Sequence, residues 1–83
     1  MSDQNKLAVL SAILVDATIG NPVRLSFNTL EKKVAISKEE LETILTALNK
    51  ERFISQYAKK GVDSFTFTAN QKGIDAVQDE SFI

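Results

Sequence analysis

Ser37–Ile54, SKEELETILTALNKERFI, is the stretch whose reading decides the fold. Ser37 followed three residues later by Glu40 has the form of a capping box, in which the hydroxyl takes the Glu40 amide and the carboxylate reaches back to the Ser37 amide. Ile36 and Leu41 flank the box where a hydrophobic staple would sit. Leu41, Ile44, Leu45 and Leu48 then recur at the spacing that lines one face of a helix of 3.6 residues per turn. After Arg52 the pattern changes to Phe53-Ile54-Ser55-Gln56-Tyr57, which has the alternation and aromatic content of a strand. A helix capped at Ser37 therefore runs directly into a sheet.

Upstream, Leu7, Leu10, Ile13, Leu14 and Ala17 have helical spacing, so a first helix is expected from Asp3 to Ala17, stopped by Gly20-Asn21-Pro22. Val23 to Leu25 is too short for an independent strand but could be a one-bridge strand pairing elsewhere. Ser26 or Asn28 can cap a short second helix through Leu30 and Val34, with Asn28 and Glu31 in capping-box spacing. That helix ends at Ala35-Ile36, directly before Ser37, and two helices joined by so tight a turn must cross as a helix-turn-helix. Downstream, Ser64 to Thr68 alternates with Phe65 and Phe67 on one side, and Ala58 to Asp63 links it to the preceding strand as a hairpin, with Gly61 supplying positive φ. Thr68 and Gln71 suggest a further capping box opening a last helix, in which Ile74 and Val77 face inward and Gly73 permits a close approach. Beyond Asp79 fraying is expected, unless Phe82 and Ile83 dock on the core or on a partner.

Composition narrows the function. The 83 residues contain no Cys and no His, which excludes disulfide frameworks, thiolate nucleophiles, Cys/His metal centres and an imidazole base. Glu39, Glu40 and Glu42 are spread around a helix with no nucleophile or base beside them, so an enzyme is not expected and no cofactor or metal is implied. No apolar run reaches the roughly 18 residues of a membrane span, so a soluble, cytoplasmic protein without signal peptide or membrane partner is expected. The net charge of −1 is unevenly placed: Arg24 to Lys60 holds eight basic and five acidic residues, and Gly61 to Ile83 one basic and four acidic.

The order helix, short strand, helix, tight turn, helix, hairpin, helix resembles a winged helix over nearly the whole chain, a single α+β domain spanning 1–83. Leu30-Glu-Lys-Lys-Val34-Ala-Ile36-Ser37, with Leu41, Leu45, Leu48 and Arg52-Phe53-Ile54, is similar to the helix-turn-helix of MarR- and PadR-type bacterial regulators. Thr68-Ala-Asn-Gln-Lys-Gly73-Ile74 is similar to the segment after their wing. The resemblance implies a three-helix core, a hairpin wing and a short C-terminal helix, with double-stranded DNA as partner and transcriptional regulation as role. On that basis Lys38, Thr43, Thr46 and Asn49 of the third helix would enter the major groove. Lys59 and Lys60, taken as the hairpin tip, with Arg24, Lys32 and Lys33, would hold the phosphate backbone. A homodimer would help so neutral a helix bind.

The residues depart from that pattern in one respect. A rotation of about 100° per residue puts Glu39, Thr43, Thr46 and Lys50 opposite the leucine stripe, a face with no Arg and no net positive charge. The competing expectation is a protein-interaction module that binds a protein partner through this face or the Phe82-Ile83 tail.

Overall fold

The computed structural model describes residues 3–79 apart from residue 16. It is a small α+β fold of four helices and one three-stranded antiparallel sheet, in the order α1 (Asp3–Leu14), β1 (Pro22–Ser26), α2 (Phe27–Val34), α3 (Lys38–Lys50), β2 (Ile54–Lys60), β3 (Ser64–Ala69) and α4 (Gln71–Asp79). The expectations for Phe82 and Ile83 lie outside the described residues.

Helix α3 forms as its sequence predicts. Ser37 is extended and its hydroxyl accepts from the Glu40 amide at 3.4 Å, while Leu41, Ile44, Leu45 and Leu48 are all buried. The capping box is half made, because the Glu40 carboxylate accepts from Asn5 Nδ2 of α1 at 2.9 Å and so ties the two helices together. The far end closes by a common motif on an uncommon residue. The Phe53 amide donates to the Leu48 carbonyl and the Arg52 amide to that of Asn49, the paired bonds of a Schellman motif. Its left-handed position, usually glycine, is Arg52 at φ 67°. Phe53 is thereby delivered into the core as the chain enters β2.

Elsewhere the structure moves several boundaries. Helix α1 ends at Leu14, short of Ala17. Val23–Leu25 belongs to a full five-residue strand, β1, which pairs antiparallel with β3 from Pro22↔Thr68 to Ser26↔Ser64, so the sheet order is β1-β3-β2. Ser26 caps α2 by accepting from Thr29 N, and Asn28 lies inside the helix. Thr68 remains in β3; the first turn of α4 closes on Asn70, whose carbonyl accepts from Gly73 and Ile74. Asn70 also donates to the Arg52 carbonyl and accepts from Ser55 Oγ, joining α4, β2 and the end of α3. At Gly73 a Cβ would collide with the Phe53 carbonyl, so the close approach expected there is real.

One apolar core unites these elements. Phe65, Phe67 and Ala69 point from β3 toward the helices, where Phe65 meets Phe27 with ring centroids 4.8 Å apart and Tyr57 at 5.9 Å. Val9, Leu10, Ile13 and Leu14 bring α1 against the same cluster, which extends through the α3 stripe to Ala76 of α4.

Candidate functional site

The surface where α3 meets the hairpin is built by two stripes on one helix. The first is the leucine stripe. The second consists of Lys38, Glu42 and Asn49, spaced four and seven residues apart and so aligned along one side of the helix. Each of the three fastens a different level of the hairpin. Lys38 Nζ donates to the Val62 carbonyl at 2.8 Å and lies 5.4 Å from the centroid of the Phe27 ring. Glu42 Oε1 pairs with Lys59 Nζ at 3.1 Å. Asn49 Oδ1 accepts the Tyr57 amide at 3.3 Å.

That last bond has a cause in the strand. Between Ser55↔Thr68 and Ala58↔Thr66 the register shifts, with Gln56 at φ 55°, so β2 carries a bulge. A bulge leaves an amide without a ladder partner. Asn49 supplies the missing acceptor.

The turn is held from the other side by Asp63. Its carboxylate accepts from Ser26 Oγ at 2.7 Å and from the Asn28 amide at 3.3 Å, and its carbonyl accepts from the Phe27 amide at 2.7 Å. Helix α2 has no acidic residue in its own first turn, so the hairpin provides the negative charge that a helix N-terminus favours. The turn itself is only Gly61 to Asp63, with Gly61 at φ 65° and Val62 89% exposed at its apex. Lys59 and Lys60 are therefore the last residues of β2, paired with Phe65 and Ser64, and do not form the tip.

These contacts redistribute the DNA-contact residues expected from the sequence. Lys38 and Asn49 hold the hairpin, and Lys59 is engaged by Glu42. Thr43 and Thr46 are exposed on α3, but their hydroxyls donate to the carbonyls of Glu39 and Glu42 at 3.1 and 2.8 Å, leaving their lone pairs as acceptors. Arg24 reaches Ser64 Oγ at 3.2 Å across the sheet. Lys32 and Lys33 form the basic last turn of α2. With Lys50 and Lys60 they are exposed, and their side chains make no hydrogen bond or ion pair among the described residues. The exposed α3 face is the one expected: Glu39, Thr43, Thr46 and Lys50.

Tyr57, read from the sequence only as part of a strand, adds a further group. Its ring packs on Phe65, while its hydroxyl is shut off from solvent with no hydrogen-bond partner among the described residues. Burial, and secondarily the negative charge of Glu42, push the phenol above its ordinary pKa. Asp63 was missed altogether, since its partner Ser26 is 37 residues away and no local pattern announces it.

Away from this surface, a shallow apolar recess between α1 and α4 is lined by Leu14, Val15, Ile74 and Val77, with Val15 65% exposed. No described helix is long and apolar enough to cross a membrane. Comparison of the chain with known protein families, with curated proteins and with solved structures found no match.

Proposed function

We propose that this chain is a winged-helix DNA-binding protein of the kind seen in MarR- and PadR-type regulators, acting on transcription without a cofactor. The observation that carries the reading is the stripe of Lys38, Glu42 and Asn49, which fixes α3 and the β2–β3 hairpin side by side as one surface. A helix presented next to a hairpin, both backed by a helix-turn-helix, is what insertion into a major groove with backbone contacts on either side requires. Thr43 and Thr46 are the groove-facing residues in this arrangement. Lys60, Lys32, Lys33 and Lys50 are the cations available for phosphate, with Arg24 on the flank. Lys38 and Asn49 act by positioning the hairpin. With so few cations in one copy, a homodimer binding two half-sites is the form in which useful affinity is reached.

Binding to random-sequence duplex across a salt series tests the reading. Affinity should fall steeply with salt, and Lys32→Ala/Lys33→Ala/Lys60→Ala should flatten the slope by about three phosphate contacts at roughly 0.9 each. Absence of binding at low salt would refute it.

A second reading is favoured by one observation: Glu39 makes no ion pair among the described residues on the exposed α3 face, and its neighbour Lys38 is already engaged within the fold. In that case the same surface docks a basic protein partner. Pull-down with Glu39→Lys separates the two, because charge reversal abolishes a basic partner's binding and strengthens DNA binding.

A further inference from the structure

Arg52 occupies a backbone position that suits glycine and carries a side chain that the fold does not use. Its φ of 67° is left-handed, a conformation unfavourable for a residue with a Cβ. The surroundings impose it. The Arg52 amide donates to the Asn49 carbonyl at 3.1 Å and the Phe53 amide to the Leu48 carbonyl at 2.9 Å, Asn70 Nδ2 donates to the Arg52 carbonyl at 2.9 Å, and Gly73 closes on the carbonyl of Phe53.

The fold draws little from the guanidinium. It is exposed and makes no hydrogen bond or ion pair among the described residues. A cation is favourable at a helix C-terminus, but α3 already has Lys50 in its last turn and Lys72, whose Nζ donates to the Glu51 carbonyl at 2.8 Å and lies 4.6 Å from the centroid of the Phe53 ring. The adjacent acid, Glu51, is taken by Lys6 at 3.0 Å. A strained position whose side chain no local contact requires points to a function.

The place of Arg52 on α3 says which. The hairpin lies along the helix with its turn at the N-terminal end, where Lys38 binds the Val62 carbonyl, and its base at the C-terminal end, where Asn49 binds the Tyr57 amide. Lys60 is thus carried toward the first end, and Lys50 and Arg52 stand at the other. The 13 residues of α3 span about 20 Å, whereas a major groove is about 12 Å wide. With Thr43 and Thr46 over the groove, both ends of the helix overhang its rims, where the phosphates lie. Arg52 is about 9 Å beyond Thr46 along the axis, past the roughly 6 Å half-width of the groove.

Resting on the DNA-binding reading above, we propose that Arg52 is a phosphate contact: it grips the backbone at the rim opposite the one met by Lys60, and arginine is kept in the left-handed position for that contact. Stability and affinity therefore move in opposite directions when glycine replaces it.

The test is duplex binding across a salt series, with thermal unfolding of the same samples, for wild type, Arg52→Gly, Arg52→Lys and Arg52→Gly/Asp79→Asn. Arg52→Gly should unfold at or above the wild-type Tm, bind severalfold more weakly at low salt, and lower the slope of log affinity against log salt by roughly 0.9, the value of one phosphate contact. Arg52→Lys keeps the charge without the planar fork of donors, so the slope should stay and affinity should fall by less. The double variant restores the wild-type net charge by neutralising an exposed acid at the far end of α4, and should bind like Arg52→Gly. A Tm of Arg52→Gly clearly below wild type, an unchanged slope, or recovery of binding by Asp79→Asn would each overturn the role of Arg52 while leaving DNA binding intact. No binding by wild type at low salt would refute the DNA reading, and this contact with it.

Discussion

Replacing Asp63 by Ala removes a carboxylate that serves two donors on another element. The Ser26 hydroxyl approaches it at 2.7 Å and the Asn28 amide at 3.3 Å, at the start of a helix that has no acid in its own first turn. A hydrogen bond to a charged group contributes about 1.5–3 kcal/mol, and the site's partial exposure and the long second contact argue for the lower end. A carboxylate at a helix N-terminus adds about 0.3–1 kcal/mol. Asp63→Ala should therefore destabilise the fold by about 2 kcal/mol, lowering Tm by about 8–16 °C for a domain of this size. Urea unfolding followed by far-UV circular dichroism measures it, with an unchanged slope against denaturant showing that the change lies in stability. Asp63→Asn retains an acceptor oxygen and loses the charge, so about half the effect should remain. In both variants the Phe27 amide still bonds the residue 63 carbonyl, so the turn stays attached. A loss below about 0.5 kcal/mol, the range of an ordinary surface substitution, would refute the claim that the hairpin caps α2.

Gly73→Ala should cost about 2–3 kcal/mol by urea unfolding, because the added methyl meets the Phe53 carbonyl, a backbone atom that cannot swing aside. Ala35→Gly should stabilise by about 0.5–1 kcal/mol in the same assay, since Ala35 ends α2 at φ 57° with an exposed side chain and glycine adopts that conformation without strain. For Tyr57 the sign follows from a phenol pKa raised in the folded state: below the unfolded value of about 10 both states are protonated, and above it the unfolded chain ionises first. Stability should thus decline as pH rises from about 10 toward the folded pKa, and Tm profiles of wild type and Tyr57→Phe should diverge only in that alkaline range.

What the sequence disclosed and what it hid divide along the reach of the interactions. Helix α3 was legible because its cap, staple and leucine stripe all lie within a dozen residues of Ser37. The exposed face of Glu39, Thr43, Thr46 and Lys50 followed from the same rotation. Strand β1 was undervalued because its only warrant is pairing with β3, about forty residues away, which no local pattern in Val23–Leu25 signals. The Schellman end of α3 escaped notice since Arg52, not glycine, takes the left-handed position. Lys38 and Asn49 were read as DNA contacts because polar side chains on a helix that resembles a recognition helix invite that reading. Their partners are the Val62 carbonyl and the Tyr57 amide, backbone atoms that every residue possesses and that only the folded hairpin brings within reach. Extension of β2 to Lys60 moved both lysines off the tip, a boundary that the bulge at Gln56 makes hard to foresee.

The central claim is that α3 and the hairpin form one DNA-facing surface, and amide chemical-shift mapping during titration with a duplex tests it most directly. The account predicts shifts concentrated at Glu39, Thr43, Thr46 and Lys50 of α3 and at Lys59 to Val62 of the hairpin, diminishing as salt is raised. Shifts confined to the α1–α4 recess around Val15 and Ile74, or no shifts at low salt, would contradict it.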